Sequence, residues 1–145
     1  MLKFTFLTDE FYNEYKNCTE IERKKNRPYT MVIATVNNID FAIPLRSNIK
    51  HKNVLWTDKE NNCGLDFSKA VVILDKDKYL DKENRPIIRQ NEFNNLKGKD
   101  YIIKSKMEKY LKNYIKAYNR QDVERNKLFC KFSTLQYFHI ELDID

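Results

Sequence analysis

One short stretch of the chain gathers side chains that bind anions or move protons. It follows an alternating apolar run, and its members are Arg46, Ser47, Lys50, His51 and Lys52. Lysine and arginine bind phosphate, a serine hydroxyl can orient an oxygen or donate to it, and histidine exchanges a proton near neutral pH. Cleavage of RNA through its own 2′-hydroxyl needs a proton acceptor, a proton donor and cations around the phosphorane. The stretch contains each of these groups.

The same residues also fit two other interpretations. A strand commonly ends in a polar, lysine-rich loop that serves solubility alone, and His51 by itself could be a surface histidine. A non-catalytic RNA- or DNA-binding module would explain the basic and aromatic composition, but it leaves this grouping of residue types to chance. A DNA-acting nuclease is disfavoured because the acidic residues form no evident metal cluster.

Composition limits the classes of protein to consider. The 145 residues, of which 41% are hydrophobic, predict a single domain over residues 1–145. A formal charge of +6 favours an acidic partner, and nucleic acid is the leading one. Only 2 glycines are present, so neither a Walker loop nor a G-x-G-x-x-G turn can form.

The sequence predicts neither a cofactor nor a metal. The three cysteines lack a C-x-x-C pair, no serine lies in a G-x-S-x-G turn, and lysines interleave many of the acidic residues. The apolar runs are too short to cross a bilayer, and the first residues do not resemble a signal peptide. A cytoplasmic protein without membrane contact is therefore expected.

Periodicity predicts an α+β fold, with an antiparallel sheet or partial barrel and helices packed on it. A strand at 3–6 precedes a helix capped by Thr8 or Asp9. The clearest signal is a hairpin over 30–45 that turns at Asn37-Asn38, with Pro44 marking an edge strand or the approach to a strand end. Further strands are expected at 54–56, 69–74 and 87–89, and shorter helices at 90–96 and after Ser133.

A long amphipathic helix is expected within residues 99–121. Its apolar residues recur every three or four positions, and a basic stripe follows the same spacing, formed by Lys109, Lys112, Lys116 and Arg120. Tyrosines on its apolar face are expected in the core, and His139 is expected to be a packed residue and not a second catalytic histidine. The stripe is either a solvated face or a guide for an RNA backbone.

Several segments resemble the endoribonuclease toxins of type III toxin-antitoxin systems, the ToxN/AbiQ superfamily, and most closely its TenpN- and CptN-like branch. The resemblance is carried by "RPY" before the hairpin, by "FAIPLRSNIKHK", by "GLDFSKAVVI" and by the late lysine-rich helix. Ser47 matches the serine of the family's Thr-Ser pair, Arg46 stands at the threonine, and Lys50 follows after one extra residue. Arg27 matches a basic family position.

This resemblance implies a β-rich core like that of the Kid and MazF toxins. It also implies metal-independent RNA cleavage that leaves a 2′,3′-cyclic phosphate. The expected partners are cellular RNA substrates and a small, pseudoknotted antitoxin RNA derived from tandem repeats, with toxin and RNA forming an oligomeric assembly. Ser47, Lys50, His51, Arg46 and Arg27 are the expected catalytic residues. Expected RNA contacts are Tyr29, Lys52, Lys109, Lys112, Lys116 and Arg120.

Overall fold

The computed structural model describes residues 2–23 and 28–145. Its six strands are β1 (Phe4–Thr5), β2 (Met31–Val36), β3 (Ile39–Arg46), β4 (Val54–Asp58), β5 (Cys63–Asp66) and β6 (Val71–Ile73). The helices are α1 (Asp9–Glu14), α2 (Lys76–Tyr79), α3 (Gln90–Leu96), α4 (Asp100–Tyr118) and α5 (Glu124–Phe132). Short 3-10 turns lie at Lys59–Asn61, Phe67–Lys69 and Thr134–Tyr137. The α+β prediction is confirmed.

All strands pair antiparallel in the order β1-β2-β3-β5-β4, and β6 also pairs with β3. The first part of β3 pairs with β6 through residues 40–42, and its end pairs with β5 through residues 45–46. Within the described residues no pairing joins β1 to β4, so the sheet is open and is not a closed barrel. Strand β3 is therefore the central strand of the fold.

The hairpin between β2 and β3 forms as predicted. Val36 pairs with Ile39, and the two residues between them, Asn37 and Asn38, have φ of 53° and 65°. Two successive positive φ angles are typical of the tight turn that matches the right-handed twist of paired strands. This turn fixes the register that carries β3 through to Arg46.

Pro44 does not mark an edge strand, so that alternative was wrong, whereas its position near the end of β3 was right. Pro44 pairs with Met31 of β2 on one side of the strand. The amide of Leu45 points to that same side, because it donates to the Thr30 carbonyl. Successive backbone groups of a strand point to opposite sides, so an N–H at position 44 would point away from β2. On that side the partner of β3 changes from β6 to β5, and no ladder hydrogen bond of the described strands is lost.

Helix α4 covers the sheet and supplies much of the core, as its periodicity predicted. Its apolar face packs against β2, and its buried residues are Ile103, Met107, Tyr110, Leu111, Tyr114 and Ala117. The phenol of Tyr110 donates to Ser133 Oγ at 2.8 Å, which ties α4 to the C-terminal turn. Lys109, Lys112, Lys116 and Arg120 are exposed on the other side.

The strand expected at 87–89 is absent. These residues follow Pro86, which has no N–H to donate to a ladder, and Ile87 is 98% exposed. Strand β5 and helix α5 were not predicted. Gly64 hides β5 from a pattern search, but the sheet requires it, because a Cβ there would lie 2.5 Å from the Leu55 carbonyl oxygen.

The remaining predictions concern the ends of the chain. The Thr8 side chain accepts a hydrogen bond from the Phe11 amide and caps α1, as expected. Ser133 caps the C-terminal turn in the same way, although that turn is a 3-10 helix. No helix in the described part of the chain is long and apolar enough to span a membrane.

Candidate active site at the end of strand β3

A buried carboxylate organises the cluster at the end of β3. Asp66 is the last residue of β5, and its side chain is fully buried. Arg46 pairs with Gly64 in the antiparallel register, so Asp66, two residues beyond Gly64, points to the same face of the sheet as Arg46. Arg46 Nη1 donates to Asp66 Oδ2 at 2.7 Å. The strongest cation of the predicted site is thus anchored from inside the protein.

The second oxygen of Asp66 holds two more groups. Ser68 donates to Oδ1 through its amide at 3.0 Å and through its hydroxyl at 2.6 Å. His51 Nε2 lies 3.1 Å from the same oxygen. Burial alone would raise the pKa of Asp66, but the hydrogen bonds from His51, Ser68 and Arg46 outweigh it and lower that pKa. Asp66 is therefore ionised at neutral pH.

Both nitrogens of the His51 ring have partners. Nδ1 accepts a hydrogen bond from the Asn53 amide at 3.1 Å, and Nε2 faces Asp66 and also lies 3.2 Å from Ser68 Oγ. A ring nitrogen that accepts from an amide carries no proton, so the neutral tautomer here has its hydrogen on Nε2. The carboxylate fixes the tautomer and the orientation of the ring, while the side chain remains 36% exposed.

Arg46 has a second, more accessible carboxylate partner. Its Nη2 lies 3.1 Å from Glu22 Oε2, and the Glu22 side chain is 50% exposed. The guanidinium carbon also lies 5.8 Å from the centre of the Tyr29 ring. Burial would lower the pKa of Arg46, but Asp66, Tyr29 and Glu22 raise it. Arg46 is thus a permanent cation with one buried and one exposed anionic partner.

Arg46 and Ser47 open onto a cleft of about 400 Å³, which we call the arginine cleft. Its other polar lining residues are Thr30, Cys63, Arg85, Arg89 and Glu92, and its apolar ones are Phe6, Pro28, Leu45, Ile87 and Ile88. Glu92 is engaged inside the fold, where its Oε2 accepts from Thr57 Oγ1 at 2.5 Å. Three arginines against one glutamate make the cleft basic, and apolar side chains form much of the rest of its lining.

A second basic cleft, the lysine cleft, lies between α4 and the loop after His51. Its volume is about 260 Å³, and its lining residues are Lys52, Asn53, Val54, Phe67, Lys106, Lys109, Tyr110 and Asn113. Asn53 connects the two regions: its backbone amide donates a hydrogen bond to the His51 ring, and the same residue lines the lysine cleft. Lys52 and Lys109, predicted separately as RNA contacts, thus share one surface.

The other predicted residues are distributed around this centre. Lys50 is exposed and follows the buried Ile49. On α4, Lys112 lies 3.7 Å from Glu108, and just beyond that helix Arg120 makes two 3.0 Å hydrogen bonds to Asp122. Lys116 is exposed. Arg27 lies outside the described residues.

Sequence reasoning missed two pairs of residues. Asp66 and Ser68 were noticed only within a family-like segment, although an aspartate two residues before a serine is a recognisable turn signal. Arg85 and Arg89 were hidden because residues 87–89 were expected to form a strand. The two arginines flank that segment and line the arginine cleft.

His139 lies outside the cluster, as expected. Tyr114 Oη lies 2.7 Å from its Nε2, and the Tyr118 ring packs edge-on with centroids 4.5 Å apart. Burial lowers the pKa of His139. In the described residues no disulfide joins the three cysteines, and no three or more His, Cys, Asp or Glu side chains are grouped to hold a metal ion.

Comparison with known proteins yields no match to a family model, to a curated protein or to a solved structure. The site must therefore be interpreted from its own geometry.

Proposed function

We propose that this chain is a metal-independent endoribonuclease toxin of a type III toxin-antitoxin system. It cleaves RNA by attack of the 2′-hydroxyl on the adjacent phosphate and is neutralised by a small pseudoknotted RNA. We also propose that the sheet is related to that of the Kid and MazF toxins, and that toxin and RNA form an oligomeric assembly. It rests on the resemblance in sequence and on the chemistry of the cluster around Asp66.

One observation carries the catalytic part of the proposal. A single buried, ionised carboxylate binds both a guanidinium and an imidazole, and both of these side chains reach the protein surface. Such an arrangement holds a phosphate-binding group and a proton-transferring group at a fixed separation. Fixed positioning of this kind supplies much of the rate enhancement in reactions at phosphorus.

The reaction assigns a role to each group. The 2′-oxygen forms a bond to phosphorus, the bond from phosphorus to the 5′-oxygen breaks, and a cyclic phosphate results. His51 accepts the 2′-proton at Nδ1 once the substrate replaces the Asn53 amide, and Asp66 stabilises the imidazolium that forms. The proton is then returned to the departing 5′-oxygen, from the same ring or from water. Arg46, Ser47 and Lys50 bind the phosphate, and Arg27 adds charge.

The lysine cleft gives the RNA backbone a route beside the cluster. Lys52 and Lys109 bind phosphates there, and Lys116 extends the track along α4. Lys112 and Arg120 contribute less, since each already has a carboxylate neighbour. A folded antitoxin RNA that occupies this surface blocks the substrate without any protein inhibitor, because RNA is recognised by shape and by its unpaired bases.

The second candidate is a non-catalytic RNA-binding module. The observation in its favour is that neither nitrogen of His51 is free to accept a proton in the present arrangement. A ring held in this way can serve as a structural strut beneath a phosphate clamp. The two functions differ in whether RNA is cut.

Digestion of mixed cellular RNA by the purified protein in EDTA distinguishes them. We expect sequence-selective cuts with 2′,3′-cyclic phosphate ends, and we expect Ser47→Ala and His51→Asn to reduce the rate by 100-fold or more, on the order of what general acid–base catalysis contributes. Ser105→Ala and Asp145→Asn are matched controls on exposed positions away from the cluster. They should cleave at the wild-type rate.

Two results would contradict the proposal. Intact RNA that nevertheless shifts on a native gel supports the binding module instead. Cleavage that His51→Asn leaves unchanged removes the histidine from the mechanism, and circular dichroism of each variant shows whether a loss of activity reflects a loss of fold.

A further inference from the structure

The arginine cleft has a recognition surface that the cleavage chemistry does not require. Arg85 and Arg89 lie on the segment between α2 and α3, remote in sequence from the strand end, yet they line the same cleft as Arg46 and Ser47. Both side chains are exposed, and neither guanidinium makes a hydrogen bond or an ion pair with another residue in the described part of the chain. Their charge is therefore available to an external anion.

Apolar side chains line the same cleft as these cations. Ile87 is 98% exposed, Ile88 and Phe6 are partly buried, and Leu45 lies near the end of β3. An isoleucine so exposed gains nothing from the folded core. Alternation of guanidinium groups with apolar surface suits a ligand that carries both a negative charge and a flat apolar face.

We propose that the arginine cleft binds an unpaired nucleotide of single-stranded RNA next to the scissile phosphate. Arg85 and Arg89 bind the phosphates on either side, and the base lies on Ile87, Ile88 and Phe6. This inference rests on the proposed function for the identity of the polymer, but it concerns binding and not cleavage. It therefore predicts a preference for unpaired over duplex RNA.

The shape of the cleft supports an unpaired base. At about 400 Å³ it falls in the range of small-ligand pockets, and a base within a duplex is stacked and paired. Recognition of single-stranded RNA commonly places a splayed base against aromatic or guanidinium planes. Glu92, the acidic lining residue, is outnumbered by Arg46, Arg85 and Arg89, so the cleft keeps an excess of positive charge.

The test is binding of a short RNA with 2′-O-methyl groups throughout, which cannot be cut by the proposed chemistry. One strand carries 2-aminopurine as the fluorescent base, and it is used alone or annealed to its complement. We expect tighter binding of the single strand, with a change of 2-aminopurine emission. We expect Arg85→Gln and Arg89→Gln each to weaken single-strand binding by about threefold or more and to lower the slope of log K against log salt by about 0.7.

Arg125→Gln is the matched control, because it removes the same charge from an exposed position on α5 that does not line the cleft. It should leave affinity and salt slope close to wild type. Ile87→Asn tests the apolar contact and should reduce the 2-aminopurine response while keeping the salt slope. Because Ile87 is almost fully exposed, a loss of the 2-aminopurine response in this variant would not be explained by misfolding.

Equal effects of Arg85→Gln, Arg89→Gln and Arg125→Gln would overturn the inference, as would equal affinity for single strand and duplex. The proposed function can fail separately: RNA that binds in the arginine cleft but stays intact in EDTA keeps this inference and removes the nuclease. If Arg85→Gln and Arg89→Gln bind and cleave natural RNA as the wild type does, the nuclease proposal stands and this inference is removed.

Discussion

Asp66 is the residue on which the candidate site depends. It is fully buried, and it binds Arg46, His51 and Ser68 at once. A buried carboxylate without such partners would be strongly destabilised, so its ionised state depends on all three groups. Removing the charge should affect both the stability of the fold and the position of the site.

The variant Asp66→Asn tests this dependence. We expect a loss of about 3 kcal/mol in the free energy of unfolding, because Arg46 is left half-buried without its main partner. Urea unfolding followed by circular dichroism measures it. Asp145→Asn, at an exposed position, should change nothing, and an unfolding free energy of Asp66→Asn equal to the wild type would contradict the account.

The acid limb of stability provides an independent check. Since the folded state lowers the pKa of Asp66, its contribution to stability is fully present above the unfolded pKa of about 4. That contribution is lost as the pH falls from there through the lower folded pKa. The free energy of unfolding should fall less steeply in Asp66→Asn than in the wild type between about pH 5 and pH 2, a range that spans the unfolded pKa.

Glu22 competes with any phosphate that approaches Arg46. Its carboxylate is half-exposed and lies 3.1 Å from Nη2, so an incoming phosphate must displace it or share the guanidinium. We expect Glu22→Gln to bind RNA more tightly by about three- to tenfold, consistent with the modest energy of exposed ion pairs. Fluorescence anisotropy in EDTA measures the affinity. Glu10→Gln, another exposed acidic position, is the control, and weaker binding by Glu22→Gln would refute this role.

At the scale of elements, α4 carries two surfaces with different tasks. Its apolar face was predicted by spacing alone and is buried against the sheet. Spacing could not tell which lysines of the stripe meet other parts of the protein, since that depends on how the loop after His51 packs. The structure groups Lys52, Lys106 and Lys109 in one cleft.

This grouping predicts a graded response along the helix. Lys52→Gln and Lys109→Gln should each lower the salt slope of RNA binding by about 0.7, because each loses one phosphate contact. Lys112→Gln should have a smaller effect, since Glu108 already partly neutralises that lysine. Lys104→Gln, exposed on α4 but outside the lysine cleft, is the control. Wild-type slopes for both Lys52→Gln and Lys109→Gln would show that the lysine cleft does not guide the backbone.

The hairpin turn allows a test of the element that positions the site. Asn38 has a φ of 65°, a conformation that glycine adopts without strain. We expect Asn38→Gly to stabilise the protein by about 0.5 to 1 kcal/mol and Asn38→Val to destabilise it. Thermal unfolding measures both changes. A destabilised Asn38→Gly or a stabilised Asn38→Val would contradict a positive φ at this turn position.

For the whole molecule, the sequence allowed the fold class, the hairpin and the long helix to be predicted, and it drew attention to the strand end where Arg46 and His51 lie. These features depend on local periodicity and on turn residues. The position of Asp66 depends instead on the pairing of β5 with β3 and β4. Gly64 permits the close approach to β4, and no local pattern reveals either pairing. Arg85 and Arg89 reach the cleft through the course of an irregular segment, which periodicity cannot predict either.

The central claim is that the RNA's own 2′-hydroxyl attacks the phosphate beside Arg46 and His51. The most direct measurement uses a short RNA that contains a mapped cut site, in EDTA, with and without a single 2′-deoxy substitution immediately 5′ to that cut. The account predicts that the unmodified strand yields a product lighter by one water than the linear phosphate, and that the deoxy strand stays intact while binding as before. Cleavage of the deoxy strand, or a linear phosphate as the first product, would contradict it.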